Sequence, residues 1–471
     1  MGNFCILRRR WAAKILKNID VSKATGPDLL PGRVLKECAE ELADVVICWR
    51  LHWLHPLFKK GSPSNPEKYR GVHLTSILSK SVERILAMVL VPFFEHNGSY
   101  GNSQWAFRKG IGCRDLISML TCTWILGFSR REKVGIFLSD ISGAFDRVFR
   151  PFLMTKCRTA GLNEMWCKFL NDYLAPRRAE VIVGGCSSSQ YTLSNQVFQG
   201  TVLGPPLWNI FFVDVRQAIE SNGCSEAKFA DDLLAQKHYA AEIENDIVLE
   251  DLRICQEAAH SWGERNRVTF DGSKEHFVIL HGRNTYGDSF KHLGVRFDTR
   301  LLMIEEITRI LGRVRPKVKA ILRSQRYYGT RDLVNQFKTH ALCILEGSTA
   351  AVFHAATSHL ARLDAIQREF GAKIGLAEEQ ISMEYNLAPL KLRRNIAALG
   401  FLHRVALGLA HPDIAQLFPF ESSSSHRFRT RLSIHRHDKQ LMDRCNGSQN
   451  DLLHRPFYGM VRIYIYFLNT Q

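Results

Sequence analysis

Asp231 and Asp232 stand side by side in the stretch KFADDLLA, residues 228–235, flanked by Phe229 and Ala230 on one side and Leu233 and Leu234 on the other. Two kinds of chemistry suit such a pair. Asp tolerates the backbone angles of a tight hairpin, so the pair can be a turn and nothing more. Adjacent carboxylates at a hairpin tip can also hold a divalent cation through oxygen ligands. Taken alone, the stretch favours the turn. A third carboxylate alters the balance. Asp140 closes the apolar run VGIFLSD, where a strand would stop and its side chain would project from a sheet edge. Three carboxylates from two neighbouring strands can hold two magnesium ions about 3.5–4 Å apart, the arrangement used for in-line attack on phosphorus.

The elements that must carry these residues are legible in the apolar pattern. WRLHWLHPLFKKGSPSNPEKYRGVHL reads as a strand, a basic loop and a second strand, and SILSKSVERILAMVLVPFFEH as a long amphipathic helix. RPFLMTKCRTAG reads as a helix, and AEVIVGG with YTLSNQVFQG as a pair of strands. Pro205 and Pro206 fit a helix entrance, where the first turn needs no amide donor. KFADDLLAQK is a short hairpin, and DIVLEDLRICQEAAHSW an amphipathic helix with Ile247, Leu252, Cys255 and Ala259 near one face. HFVIL and FKHLGVRFD are strands; beyond about residue 302 the chain becomes helical and basic, and the SSSS at 422–425 opens a polar tail.

With 471 residues, 45% of them hydrophobic, the chain can bury large cores and should hold more than one domain. Its formal charge of +17 favours a polyanionic partner, nucleic acid before membrane. The twelve cysteines show no C-x-x-C spacing, so no zinc site is evident, and they read as reduced, mostly buried thiols. No apolar run is long enough to span a membrane, and the opening MGNFCILRRRWAAKIL is a poor secretory signal.

The order of motifs resembles the reverse transcriptase of non-LTR (LINE-type) retrotransposons. The fingers motifs of that family match KATGPD at 23–28, LFKKG at 57–61 with YRGVHLTSILSK at 69–80, and QWAFRKG at 104–110. Its palm motifs match SDISGAFD at 139–146, QGTVLGPPLWNIFF at 199–212 and FADD at 229–232, followed by GSKE at 272–275 and FKHLGVRFD at 290–298. The resemblance implies an α+β right-hand polymerase with fingers, an antiparallel-sheet palm and a helical thumb. It divides the chain into an N-terminal segment and fingers at 1–133, a palm at 134–299, a thumb at 300–375 and a C-terminal helical segment with a polar tail at 376–471. The reaction it implies is RNA-directed DNA synthesis: extension of a primer 3′-hydroxyl with deoxynucleoside triphosphates on an RNA template, with two Mg2+ ions (Mn2+ as a substitute).

Roles carry over position by position. The resemblance implies that Asp140, Asp231 and Asp232 are the catalytic carboxylates, Asp140 and Asp231 the principal metal ligands and Asp232 a supporting one, with the Ile141 carbonyl as a further ligand. Arg70 is the arginine that clamps the triphosphate, its fork suiting phosphate oxygens. Lys59, Lys60 and Arg108 are weaker candidates of the same kind. Phe145 is the aromatic that blocks a ribose 2′-hydroxyl, and Gln199 and Gly200 form a loop approaching nucleotide and template. By the same resemblance Lys274 would protonate the leaving pyrophosphate, and Leu293 and Gly294 would position the primer. Asp146 reads as a solvent-facing helix cap, and Gly204 as a residue that permits the turn into the next helix.

The chain departs from the family pattern near 46–52, where a helix and the strand leading to LFKKG nearly abut, so a deletion in the fingers is expected. It also reads as a truncated copy without the endonuclease of such elements. The alternative is a catalytically silent RNA-binding remnant; an RNA-templated RNA polymerase would use the same metals. The resemblance implies a DNA primer or target and residence in the nucleus, with a cytoplasmic ribonucleoprotein stage. The RRR at 8–10 is too short to establish that address.

Overall fold

The computed structural model describes residues 17–18, 20–21, 32–38, 51–420, 440–445, 448, 450–455 and 457–469. The KATGPD segment, the RRR at 8–10, residues 46–50 of the short join and the SSSS at 422–425 lie outside the described residues.

The strands and longer helices follow in chain order. First come β1 (Leu51–Phe58), β2 (Tyr69–Leu74), α1 (Ile77–His96), α2 (Cys113–Ser129) and β3 (Glu132–Asp140). Then come α3 (Arg150–Thr159), α4 (Glu164–Tyr173), β4 (Arg177–Val183), β5 (Cys186–Ser187), β6 (Tyr191–Leu193) and α5 (Gly204–Phe212). β7 (Ser225–Phe229), β8 (Asp232–Ala240), α6 (Asn245–Asn266), β9 (His276–Leu280), β10 (Phe290–His292) and β11 (Val295–Phe297) follow. The remainder is helical: α7 (Ile304–Arg323), α8 (Thr330–Phe337), α9 (Thr357–Lys373), α10 (Glu378–Tyr385), α11 (Leu390–Ala406) and α12 (Phe457–Asn469).

The chain forms two compact units. The first holds the described residues up to Phe107, then Ser139–Leu233 and Cys255–Glu275; the second holds Arg108–Leu138, Leu234–Ile254 and the described residues from His276 onward. In the first, β1 and β2 are antiparallel, with Phe58 opposite Tyr69 and the basic loop between them. β4 lies parallel to β1 on its other edge, Leu54 opposite Val181, and β5 and β6 pair with β4. Helix α5 is buried nearly all round, as its almost wholly apolar sequence requires. The two prolines sit at its entrance.

A four-stranded sheet has the order β7-β8-β3-β9, with β3 and β9 antiparallel and Val134 opposite Leu280. Seven consecutive residues of β3, Lys133 to Ser139, are buried, so the strand is covered on both faces and reads as a run rather than an alternation. On α6 the buried face is Val248, Leu252, Cys255 and Ala259, all with no exposed surface, whereas Ile247 is 53% exposed. Counting back one helical turn of four residues from Leu252 reaches Val248, so the expected place of Ile247 was one residue out of register. In the second unit α7 buries Ile307, Ile310, Leu311, Val314, Val318 and Ile321 at three- and four-residue spacing. Among the described residues no helix is long and apolar enough to cross a membrane.

Candidate active site

The FADD hairpin is held in a conformation its own sequence does not favour. Ala230, one of the two residues between β7 and β8, has φ of +59°, a left-handed value that costs a residue with a Cβ about 1–2 kcal/mol. Two side chains keep it there. Gln104 Oε1 accepts from the Ala230 amide at 3.0 Å, and Gln104 Nε2 donates to the Ala230 carbonyl at 3.2 Å. Trp208 Nε1 donates to the same carbonyl at 2.9 Å. Gln104 is fixed in turn. Its Oε1 also accepts from the Ala106 amide at 3.0 Å, and residues 103–105 pair beside β7, the Trp105 amide donating to the Lys228 carbonyl at 2.9 Å. Lys228 is fully buried and its charge is met by Glu226 at 2.8 Å.

Asp140 ends β3, and β8, its neighbour in the sheet, begins at Asp232. The Asp140 carbonyl accepts from the Asp271 amide at 2.8 Å, and the Ser142 amide donates to the Thr269 carbonyl at 2.9 Å. These two bonds flank the Ile141–Phe270 bridge, so the Ile141 carbonyl points away from residues 269–271. Lys274 donates to the Asp140 carboxylate and lies 3.3 Å from Asp271. The lysine is placed by its neighbour. Glu275, with its side chain 5% exposed, accepts from Ser139 Oγ at 2.7 Å and Gln256 Nε2 at 2.5 Å and meets His260 Nε2 at 2.8 Å.

Negative charge is crowded at this edge. Burial, and then the charge of Asp140, raise the Asp231 carboxyl above the ordinary range, with Arg70 and Lys274 pulling it back. Asp232 is raised to about 6 by burial, then by Asp140 and Asp231. Three carboxylates that repel one another, with only oxygen donors between them, fit a hard divalent cation. Among the described residues no three His, Cys, Asp or Glu side chains already converge at coordination distance, and the positive charge on Asp140 is that of Lys274.

Arg70, exposed on β2 opposite Leu57, acts electrostatically on both Asp231 and Asp146. Asp146, expected as a solvent-facing helix cap, is exposed as a residue, but it lies within the turn Ala144–Arg147, and Gly143 holds the cap position. The protein packed around its carboxyl raises its pKa, while Lys59, Arg70 and Arg147 oppose the rise. Asp146 therefore belongs to the same electrostatic neighbourhood. Phe145 stacks on Trp208 with ring centres 5.7 Å apart and meets the edge of Phe107 at 6.3 Å.

The Gln199–Gly200 loop is bound to β2 through its backbone, the His73 amide donating to the Gln199 carbonyl at 3.0 Å. Gly200 has φ of +99°, and a Cβ there would lie 3.0 Å from the His73 carbonyl oxygen. Gly204 does more than permit a turn: a Cβ would sit 2.9 Å from Thr201 Oγ1 and 3.0 Å from the Phe198 carbonyl. Beneath the loop, Glu83 is buried and accepts from the amides of Val202 at 2.5 Å and Leu203 at 3.4 Å. Beside it, Arg177 donates to His52 Nε2 at 2.9 Å, and His52 Nδ1 meets His73 Nδ1 at 3.2 Å. Arg177 can only donate, so His52 carries its proton on Nδ1 and His73 accepts there. Burial, then Arg177, lowers His52 to about 2 and His73 to about 4.

Residues 58–297 match the model of the family described as reverse transcriptase (RNA-dependent DNA polymerase), a span that takes in every expected site residue. The chain belongs to the reverse transcriptase family. Among curated relatives, an RNA-directed DNA polymerase from the mobile element jockey of Drosophila funebris is 24% identical over 472 residues, covering 92% of this chain and 51% of that protein. A probable RNA-directed DNA polymerase from the X-element transposon of Drosophila melanogaster is 28% identical over 286 residues, 57% of this chain and 31% of that protein. The chain thus spans about half the length, or less, of these relatives. Among solved structures, apo telomerase from Candida tropicalis aligns at 10% identity with a TM-score of 0.41, covering 79% of this chain and 65% of that one.

Within this reverse transcriptase domain, the carboxylates, Ile141, Arg70, Phe145, Gln199, Gly200 and Lys274 all fall in the first unit. Leu293 and Gly294 fall in the second, as the two turn residues between β10 and β11, with φ of +48° and +82°. The Gly294 carbonyl accepts from Arg309 Nη2 at 3.1 Å. Sequence reasoning passed over Gln104, Trp208 and Glu275, although each lies inside a quoted motif. It also passed over Glu83, which sits three and seven residues before Leu86 and Leu90 on the buried face of α1. A lone acid on an apolar face was the available signal.

Proposed function

We propose that this chain is the polymerase part of a non-LTR retrotransposon protein. It would extend a DNA primer or nicked target 3′-hydroxyl with deoxynucleoside triphosphates on an RNA template. The observation that carries the reading is the gathering of Asp140, Asp231 and Asp232 at one sheet edge, where burial, and then the neighbouring carboxylates, raise Asp231 and bring Asp232 to about 6. Asp140, Asp231, Asp232 and the Ile141 carbonyl would hold Mg2+, with Mn2+ as a substitute. Bound there, the ions would lower the pKa of the primer hydroxyl and neutralise charge on the phosphate.

The chain's own groups supply the rest by position and charge. Arg70 offers a planar fork to triphosphate oxygens. Phe145, backed by Trp208, presents a fixed ring to the sugar. Gln199 and Gly200 bring backbone close to the nucleotide and template strand. Lys274, now paired with Asp140 and Asp271, would hold a proton for the departing pyrophosphate. Leu293 and Gly294 would steady the primer end. In this reading fingers run to residue 133, the palm over 134–299, the thumb over 300–375 and a C-terminal helical segment beyond, and the protein works in the nucleus.

The test is primer extension on an RNA template with Mg2+. Asp231→Ala should lower the rate by more than about 100-fold, since even outer partners of metal ligands are worth about 10–100-fold. Equal incorporation by wild type and Asp231→Ala would sink the polymerase reading and leave an RNA-binding remnant.

A further inference from the structure

Between Ile307 and Arg331 the sequence holds eight Lys and Arg residues and no Asp or Glu. Arg309 is paired with Glu306 at 2.6 Å. Arg315, Lys319 and Arg323 are all exposed, four residues apart along one stripe of α7. At that spacing successive charges sit about 6 Å apart along the helix. The stripe ends at an unusual surface. Tyr327 is 76% exposed and Tyr328 50% exposed, in the turn between α7 and α8, with Arg326 and Arg331 exposed on either side.

The turn is rigid. The Tyr327 amide donates to the Ser324 carbonyl at 2.8 Å, Ser324 Oγ donates to the Ile321 carbonyl at 2.7 Å, and Gln325 Nε2 donates to the Lys373 carbonyl of α9 at 3.4 Å. The Arg326 guanidinium lies 5.5 Å from the centre of the Tyr327 ring, adding positive charge at the platform itself. Two large aromatic side chains are thus held open to solvent at the end of a row of cations, where neither packs into a core.

We propose that Tyr327 and Tyr328, with the Arg315–Lys319–Arg323 stripe, form a binding platform for single-stranded nucleic acid, the rings stacking on unpaired bases while the stripe follows the phosphates. Cations alone would suit a duplex equally well. The rings decide between the two, because in a duplex the faces of internal bases are covered by their neighbours, whereas an unpaired base offers a face to an aromatic side chain. The platform extends the polymerase reading by naming a strand that the region after the β10–β11 hairpin grips. Its test needs no nucleotide incorporation, so the two readings can fail separately.

The experiment measures binding of the full chain to a short, unstructured, fluorescein-labelled single-stranded RNA and to a blunt duplex of equal length, without divalent metal or nucleotides. Tyr327→Ala with Tyr328→Ala should weaken single-strand binding by about 5- to 150-fold for each base that stacks. The corresponding pair of Phe substitutions should bind like wild type, since stacking does not use the hydroxyl. Duplex affinity should be unchanged in both. Lys319→Gln should lower the slope of log affinity against log salt on the single strand by about 0.7. Unchanged single-strand affinity in the Ala pair would overturn the proposal. So would an equal loss on the duplex, a loss in the Phe pair as large as in the Ala pair, or an unchanged salt slope in Lys319→Gln.

Discussion

Gln104→Ala is the change that best probes how the hairpin is held, because one side chain makes three bonds there. The substitution removes the acceptor for the Ala230 and Ala106 amides, each now bonded at 3.0 Å, and a donor at 3.2 Å to the Ala230 carbonyl. Trp208 still serves that carbonyl at 2.9 Å, so the loss falls on the two amides. A buried donor left without a partner costs about 1–3 kcal/mol, which puts the sum at about 2–6 kcal/mol, or about 1–3 if water reaches one amide. The left-handed strain of about 1–2 kcal/mol at Ala230 then has less to oppose it, and the turn carrying Asp231 and Asp232 relaxes. A shift of about 1 Å in a positioned group can cost about 100-fold in rate. Urea unfolding should show the loss of stability, and primer extension should show a fall in kcat greater than any rise in KM. Adding Ala230→Gly to Gln104→Ala should recover part of the stability, because glycine takes the left-handed angle without strain. A Gln104→Ala protein with wild-type stability and wild-type kcat would refute the reasoning.

Two further outcomes are expected. His52 and His73 are buried neutral, lowered to about 2 and about 4, whereas an unfolded histidine titrates near 6.5. Below pH of about 6.5 the unfolded chain gains protons that the folded chain does not, so stability is full above that value and falls with falling pH. By pH 5 the loss is about 2 kcal/mol for each residue. Unfolding free energies at pH 7 and pH 5 should therefore differ less in His73→Gln than in wild type, and an identical difference in the two proteins would contradict this account. Phe145→Ala removes the ring stacked 5.7 Å from Trp208, and single-nucleotide extension should then accept ribonucleotides better relative to deoxyribonucleotides. No change in that ratio would remove Phe145 from the sugar pocket.

Much of the fold was legible because short-range pattern carries it. The β1–β2 pair around its basic loop, the helix entered at Pro205 and Pro206, the KFADDLLA hairpin and the β10–β11 hairpin all lie where apolar spacing and turn residues put them. The reverse transcriptase motifs were legible for the same reason, each being a run of a few residues. Where pattern was ambiguous by one position, as at Ile247 and Val248, only packing chose which side chain turned inward.

The residue types of the site were set along the chain, and so was the charge that favours a nucleic-acid partner. Tertiary structure alone decided what surrounds them. Gln104 lies 126 residues from the Ala230 it clasps, and Lys274 lies 134 residues from the Asp140 it neutralises. Glu83 reaches amides more than a hundred residues away, at Val202 and Leu203. Periodicity reports neighbours two, three or four residues apart, because those are the spacings a strand or helix repeats. A hydrogen bond closed across a hundred residues leaves no such repeat. The carboxylates of KFADDLLA could be recognised in the sequence, but the strained alanine beside them and the glutamine and tryptophan that hold it became visible only once the chain had folded.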